Sequence, residues 1–150
     1  MFRGATKVTI DDKGRVVVPV QHRKGLSAPA EGRVVVTIDT DQCLRIYAAP
    51  EWEQIEAKLN SMPSMHPQVR RLQRLMIGHA QDMVLDSHGR LTLTPELREW
   101  AGLDRAAWIV GQGRGLELWD EARWKLQREE WLKTQQGVTD LAVELSGLQL

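Results

Sequence analysis

The stretch TIDDKGRVVVP at residues 9–19 is echoed by VLDSHGRLTLTP at residues 84–95. Each copy places Asp-x-x-Gly-Arg ahead of a short apolar run and a proline. Glycine supplies the left-handed backbone that a tight turn needs, and the aspartate can accept hydrogen bonds from amides two residues further on. The pattern therefore predicts a strand, a turn and a second strand, written twice in one chain.

The similarity continues beyond these turns and indicates an internal duplication. LRIY at 44–47 matches LELW at 116–119, and PEWEQIEAKL at 50–59 matches EARWKLQREEWL at 121–132. HRKGL (22–26) also matches LREWAGL (97–103) if two residues are inserted. Matching pieces in a fixed order, with small insertions, indicate duplication rather than chance.

Each half continues with a second predicted hairpin and then a helix. The hairpins are RVVVTID with CLRIY, and AAWIVG with GLELWD. Apolar residues at helical spacing mark the first helix (Trp52, Ile55, Leu59 and Met62), and Trp124 and Trp131 lie seven apart on its counterpart. We interpret the tryptophans, Trp119 included, as core residues rather than platforms for base stacking.

The segment between the halves, HPQVRRLQRLMIGHA, predicts a connecting helix. Its apolar face carries Val69, Leu72 and Met76. The opposite face carries Arg70, Arg71 and Arg74. These arginines suit either a solvated face or a structural or subunit-interface role against acidic residues of the second half.

Short strands bury little surface alone, so the two halves should pack or interleave into one small β-barrel of the α+β class. The predicted organisation is a first repeat at 1–62, a connecting helix at 63–81, a second repeat at 82–134 and a C-terminal tail at 135–150. In the tail only Leu141, Leu145 and Leu148 form a short amphipathic pattern.

The composition is that of a globular protein, with 42% hydrophobic and 27% charged residues. We expect a cytosolic, soluble protein, because the chain has no apolar run of membrane-spanning length and no signal-peptide core at its N-terminus. A single cysteine, Cys43, precludes an internal disulfide.

The net charge is zero, with 20 basic and 20 acidic residues, but the charge is unevenly distributed. Residues 1–25 hold six basic groups and two acids, a net of +4, whereas residues 116–150 hold seven acids and four bases, a net of −3. A basic region of this kind can attract an anion although the whole chain is neutral.

Three motifs in order resemble one family. MFRGATKVTIDDKGRVVVP, RRLQRLMIGHA and DSHGRLTLTP are similar to the MraZ family of bacterial transcription regulators, from Met1 to about Leu132. The resemblance implies a tandem AbrB-like fold of interlocked hairpins and head-to-tail rings of subunits. It also implies that the protein binds short direct repeats in the promoter of its own operon, the division and cell-wall gene cluster. The expected action is mainly repression, in the cytoplasm with the nucleoid.

The resemblance also assigns the DNA contacts to the two Asp-x-x-Gly-Arg elements. These are Asp11, Gly14 and Arg15 in the first copy and Asp86, Gly89 and Arg90 in the second. The second copy departs from the first, because His88 replaces Lys13 and the proline lies one residue farther from the arginine.

Arginine chemistry agrees with a DNA contact. An arginine just past a glycine turn projects from a rigid loop, and its planar fork can bind guanine O6 and N7 together. Lys13, Lys7 and Arg3 suit contacts to phosphates, which position a protein without reading sequence. The alternative is a purely structural role, in which each element is a stable hairpin turn and its arginine pairs with its own aspartate.

No catalytic or metal-binding pattern emerges, so we expect neither an enzyme nor a cofactor or small-molecule substrate. The four histidines match no zinc signature. GQGRG at 111–115 resembles a phosphate loop but falls between two predicted strands, which favours a hairpin turn. The alternative function is a protein-interaction module of the antitoxin type, since AbrB-like folds also occur in antitoxins.

Overall fold

The computed structural model describes residues 1–134, which form eight strands and five α-helices. The elements of the first half are β1 (Ala5–Thr9), β2 (Arg15–Val17), α1 (Val20–Ser27), β3 (Arg33–Ile38), β4 (Leu44–Ala48) and α2 (Ala49–Ser61). The remaining elements are α3 (Pro67–Met76), β5 (Gln81–Val84), β6 (Arg90–Thr92), α4 (Pro95–Trp100), β7 (Ala106–Gln112), β8 (Gly115–Asp120) and α5 (Glu121–Lys133). None of these helices is long and apolar enough to cross a bilayer.

The strands form one six-stranded sheet in the order β1-β7-β8-β4-β3-β5 and a separate two-stranded ribbon of β2 and β6. All the pairings are antiparallel. The predicted α+β class is confirmed, and so are the predicted hairpins β3–β4 and β7–β8. The predicted small β-barrel is not closed, because within residues 1–134 β1 and β5 remain at the two edges of the sheet.

The two halves interlock through exchanged strands. β1 pairs with β7 of the other half, β5 pairs with β3, and β2 pairs with β6. Within a predicted strand-turn-strand unit, the two strands scarcely pair with each other. In the first unit, β1 and β2 are joined by an isolated bridge between Ile10 and Val16. Three-residue strands gain more by pairing across the halves, where Val16 and Leu91 lie opposite each other in the core.

The main core lies between the six-stranded sheet and the β2–β6 ribbon. Strand alternation decides which residues enter it, so that Val34 and Val36 face this core while Val35 faces the other side of the sheet. On that other side, α2 packs Trp52 on Tyr47, and α5 packs Trp124 on Trp119. The ribbon and the two long helices therefore occupy opposite faces of the sheet.

The predicted core role of the tryptophans is confirmed for Trp52, Trp119 and Trp124, which are buried. Trp131 contacts Trp119 edge-on at 5.7 Å between ring centroids but remains 47% exposed. The apolar stripe of the first helix ends before Met62, which lies past the last residue of α2.

The connecting helix is shorter than its predicted segment and spans α3, with its apolar face half-buried against α2. Two short helices, α1 and α4, were not predicted, although their sequences match each other within the repeat. The predicted tail pattern lies outside the described residues, and the division into four segments stays a prediction.

Candidate nucleic-acid interface

The first Asp-x-x-Gly-Arg turn is closed by its aspartate. Asp11 Oδ1 accepts hydrogen bonds from the backbone amides of Lys13 at 3.0 Å and Arg15 at 2.9 Å. Its second oxygen, Oδ2, accepts from Arg15 Nε at 2.6 Å. Gly14 adopts the left-handed conformation, with φ of 80°. One carboxylate thus orders the turn backbone and tethers the arginine side chain.

The second turn repeats this geometry. Asp86 accepts from the amides of His88 at 2.8 Å and Arg90 at 2.9 Å, and from Arg90 Nε at 2.9 Å. Gly89 has φ of 76°. The replacement of lysine by histidine and the shifted proline therefore leave the turn geometry unchanged.

Hydrogen bonds to the charged form keep both aspartates ionised. The backbone amide of Arg90 is the largest cause that lowers the pKa of Asp86, to about 2, and the amide of Arg15 likewise lowers the pKa of Asp11. Each carboxylate therefore stays negative at neutral pH and holds its arginine as an ion pair.

Each turn is braced by the other half of the chain. The amide of Val18 donates to the carbonyl of Gly89, and the amide of Leu93 donates to the carbonyl of Gly14, both at 2.8 Å. A Cβ on Gly14 would lie 2.8 Å from the carbonyl oxygen of Leu93. These glycines are needed both for their positive φ and for the close approach of the opposite strand.

Two arginines that the sequence did not identify as site residues pack against the turns. Arg23 of α1 lies against Gly89 and donates from Nε to the carbonyl of Val18 at 2.8 Å, while Arg98 of α4 lies against Gly14. The internal repeat could have identified them, because the segments that contain these two arginines align with each other.

The ribbon brings the two turn arginines onto one surface. Arg15 pairs with Thr92, and Val17 pairs with Arg90. Since side chains alternate along a strand, these four residues share the outer face, while Val16 is buried on the inner face. Arg15 and Arg90 are thus diagonal neighbours, about 7–8 Å apart at Cα. Their Nη groups form no hydrogen bond with any residue of 1–134.

The structure does not bring every predicted contact residue to this surface. Lys13 is exposed at the tip of the first turn, close to the ribbon. Lys7 lies on the α5 side of the sheet, where Nζ is 3.1 Å from Glu121. Arg3 lies beyond the far end of β1, where its backbone packs on Gly111.

Within residues 1–134, one group of side chains has the spacing of a metal site. It is a charged cluster of Asp39, Cys43 and Glu117 on the opposite face of the sheet. Arg45 Nη1 lies 3.1 Å from Asp39 and 3.3 Å from Glu117, so a guanidinium already neutralises the carboxylates. Burial raises the pKa of the Cys43 thiol, which disfavours the thiolate that a metal would need. The cluster is structural.

Segments singled out in the sequence also find their places. GQGRG at 111–115 forms the β7–β8 hairpin connection, as predicted. His79, in the loop after α3, donates from Nδ1 to the carbonyl of Leu75 at 2.9 Å.

Comparison with known proteins agrees with this architecture. The family model described as "MraZ protein, putative antitoxin-like" matches twice, at residues 1–75 and 76–140. Three similar proteins are named "Transcriptional regulator MraZ". They come from Thioalkalivibrio sulfidiphilus (47% identical, all of both chains covered), Coxiella burnetii (48%, all of both chains) and Methylococcus capsulatus (44%, 99% of each). Transcriptional regulators are a class of non-enzymes, which agrees with the expectation that this protein is not an enzyme. The chain belongs to the MraZ family, with two copies of the family's repeat interlocked in one subunit.

Proposed function

We propose that this protein is a sequence-specific regulator of transcription that reads double-stranded DNA with the outer face of the β2–β6 ribbon. The observation that carries the proposal is the placement of Arg15 and Arg90 on that one face, each tethered by an aspartate. The names of the similar proteins support the same function.

The tethered arginines suit base recognition. Asp11 holds Arg15 through Nε, which leaves the two Nη groups for guanine O6 and N7. A bidentate contact of this kind contributes about 1–3 kcal/mol of discrimination between bases. The tether also lowers the entropy that the side chain loses on binding. A two-stranded ribbon is narrow enough to enter the major groove, which is about 12 Å wide.

Phosphate contacts complete the proposed interface. Lys13 is exposed next to Arg15 and can neutralise a phosphate beside the base that the arginine reads. The geometry offers less support for Lys7, which is paired to Glu121, and for Arg3, which lies away from the ribbon.

The proposal extends to the biology of the family. The protein binds short direct repeats in its own promoter as a ring-shaped oligomer and acts mainly as a repressor of the division and cell-wall cluster, in the cytoplasm with the nucleoid. Each subunit offers one short ribbon, so several ribbons on repeated sites gain affinity through effective concentration when their spacing matches.

The second candidate function is a protein-interaction module of the antitoxin type. The pairing of each turn arginine with its own aspartate favours it, because the same geometry also serves a purely structural turn. The matching family is also described as antitoxin-like, which supports the same function.

Fluorescence anisotropy separates the two functions. Wild type and Arg15→Ala are titrated side by side with DNA from upstream of the protein's own gene and with a shuffled duplex, over a salt series. We expect wild type to prefer the native duplex with a steep loss of affinity as salt rises, and the variant to lose that preference. Equal weak binding to both duplexes by wild type would reject the DNA-reading function and favour the interaction module.

A further inference from the structure

The outer face of the β2–β6 ribbon carries two residues besides the turn arginines. Val17 follows Arg15 by two positions and Thr92 follows Arg90 by two, so the internal repeat places them at equivalent positions. In the ribbon, Val17 lies opposite Arg90, and Thr92 lies opposite Arg15. Each turn arginine therefore has a β-branched neighbour directly across the ribbon.

Strand alternation holds these two side chains on the surface. Val17 is 45% exposed although both of its neighbours in sequence are fully buried. Thr92 is likewise exposed between two buried leucines. Neither side chain can turn inward without a slip of the whole ribbon, because every residue would then change face. A single exposed valine is ordinary on a protein surface, but this one lies among the proposed base-reading groups.

The spacing of side chains on this face suits neighbouring bases. Residues directly opposite each other on antiparallel strands lie about 4.5–5.5 Å apart at Cβ. Residues two apart on one strand are separated by about 6.5 Å. Successive bases on one DNA strand are separated by about 3.4 Å. A base bound by a turn arginine and a base touched by a β-branched neighbour are therefore within about two base pairs of each other.

The aspartate tethers bring the shorter side chains within reach of the bases. Arg15 Nε is held 2.6 Å from Asp11 Oδ2, and Arg90 Nε is held 2.9 Å from Asp86 Oδ2. A guanidinium held against its own turn reaches less far from the ribbon than a free one. The ribbon therefore lies close to the base edges when the arginines bind them. At that approach the methyl groups of the β-branched neighbours touch the floor of the groove as well.

Thymine is the base that suits such side chains. It is the one base that presents a methyl group in the major groove, at C5. Val17 has no polar side-chain atom, so against another base it would leave an amino or carbonyl group without a hydrogen-bond partner, which costs free energy. Threonine combines a methyl group with a hydroxyl that can bond to several bases, so Thr92 is the less selective of the two.

We propose that Val17, with Thr92 as its weaker counterpart, recognises the C5 methyl group of a thymine that lies within about two base pairs of a guanine bound by a turn arginine. The inference rests on the proposed function, since it concerns the same ribbon. It goes beyond that function because it assigns a base to two further residues and states that the target sequence places thymine beside guanine.

Replacement of thymine by uracil tests the contact, because uracil pairs as thymine does but lacks the methyl group. Anisotropy titrations compare the duplex from upstream of the protein's own gene with the same duplex made with deoxyuridine in place of thymidine. Wild type should bind the uracil duplex at least about fourfold more weakly, the effect of one buried methyl group. Val17→Ala should lose most of this sensitivity to uracil. The double variant Val17→Ala with Thr92→Ser should bind the two duplexes equally.

Two further variants are controls. Leu126→Ala removes an aliphatic side chain that is 60% exposed on α5, on the opposite side of the sheet from the ribbon, and should keep the full sensitivity to uracil. Val17→Thr keeps the β-branched shape and one methyl group, so it should keep most of the sensitivity. A purely structural role of Val17 in the strand would lower the affinity of Val17→Ala for both duplexes by the same factor. Near-ultraviolet circular dichroism establishes that each variant remains folded.

Equal affinity of wild type for the thymine and uracil duplexes, with the preference for native over shuffled DNA retained, would overturn this inference and leave the proposed function standing. The same loss on uracil in wild type and in the folded double variant would also overturn it, and would assign the effect to the shape of the DNA. If wild type shows no preference for native over shuffled DNA, the proposed function itself fails, and this inference fails with it.

Discussion

Arg45 and Glu117 occupy the same position of the internal repeat and lie directly opposite each other on β4 and β8. Arg45 Nη1 is 3.3 Å from Glu117 Oε2, and Trp119 Nε1 donates to the other carboxylate oxygen at 3.1 Å. If the two halves were identical, the same residue would lie at this position on both strands, and two like charges would face each other. One chain that carries both halves can hold arginine in one copy and glutamate in the other.

We expect the pair to stabilise the contact between the halves. Glu117→Arg should place two guanidinium groups opposite each other and lower the free energy of unfolding by about 3–5 kcal/mol, the usual loss when a buried pair is broken. Arg45→Glu should have a similar effect. Urea unfolding followed by tryptophan fluorescence measures both.

The double exchange Arg45→Glu with Glu117→Arg is the informative control. It restores opposite charges across the same strand pair, so it should recover part of the lost stability. Losses that simply add in the double variant would show that the two side chains do not interact.

Arg15→Ala should abolish the preference for native DNA while leaving the assembly intact. The turn remains closed in this variant, because Asp11 still accepts the amides of Lys13 and residue 15. Loss of one bidentate contact corresponds to about 1–3 kcal/mol, or roughly 5- to 150-fold in affinity for the native site. Anisotropy measures the affinity, and light scattering checks the mass.

Arg90→Ala should be milder than Arg15→Ala. The two arginines have matching tethers and share one face, but the second turn carries His88 where the first carries Lys13, so fewer basic groups surround it. The same titration ranks the two variants. An equal or larger loss for Arg90→Ala would contradict the ranking and make the second turn the stronger reader.

Gly14→Ala should destabilise the fold through the brace between the halves. The new Cβ would lie 2.8 Å from the carbonyl oxygen of Leu93, in a residue already held at φ of 80°. Gly113→Ala is the matched control, since Gly113 has φ of 70° and no described atom within 4 Å of the added Cβ. Chemical denaturation should show that Gly14→Ala costs about 1–3 kcal/mol more than the control. Equal losses of stability in the two variants would mean that the contact between residue 14 and the carbonyl of Leu93 relaxes without cost.

Acid should weaken the second turn within a defined range of pH. The pKa of Asp86 is lowered from 3.8 to about 2 in the folded protein. A carboxyl whose pKa is lowered on folding contributes stability above its unfolded pKa, and that contribution is lost as the pH falls through the folded value. Urea midpoints from pH 5 to pH 2 should therefore show the advantage of wild type over Asp86→Asn shrinking between about pH 4 and pH 2. A constant difference over that range would show that the charge of Asp86 is not linked to folding.

The site could be predicted only in part from the sequence. The aspartate, glycine and arginine of each turn were predicted because their roles are local, and the structure places Asp11, Gly14 and Arg15 in a closed turn as expected. The shared surface could not be predicted, because it depends on the register that sets Arg15 opposite Thr92. Lys7 shows the converse, since a basic residue near the turn in sequence lies on the other side of the sheet.

Sequence by itself determined the repeat, the turns, the hairpins β3–β4 and β7–β8 and the α+β class, because turn chemistry and side-chain periodicity act over a few residues. Tertiary structure alone decided that the sheet formed by the described residues stays open, that β1 and β5 exchange partners between halves and that two distant arginines share one face. The physical reason is that three-residue strands such as β2 have too little surface to choose a partner locally. Their pairing is decided by the core that both halves bury together.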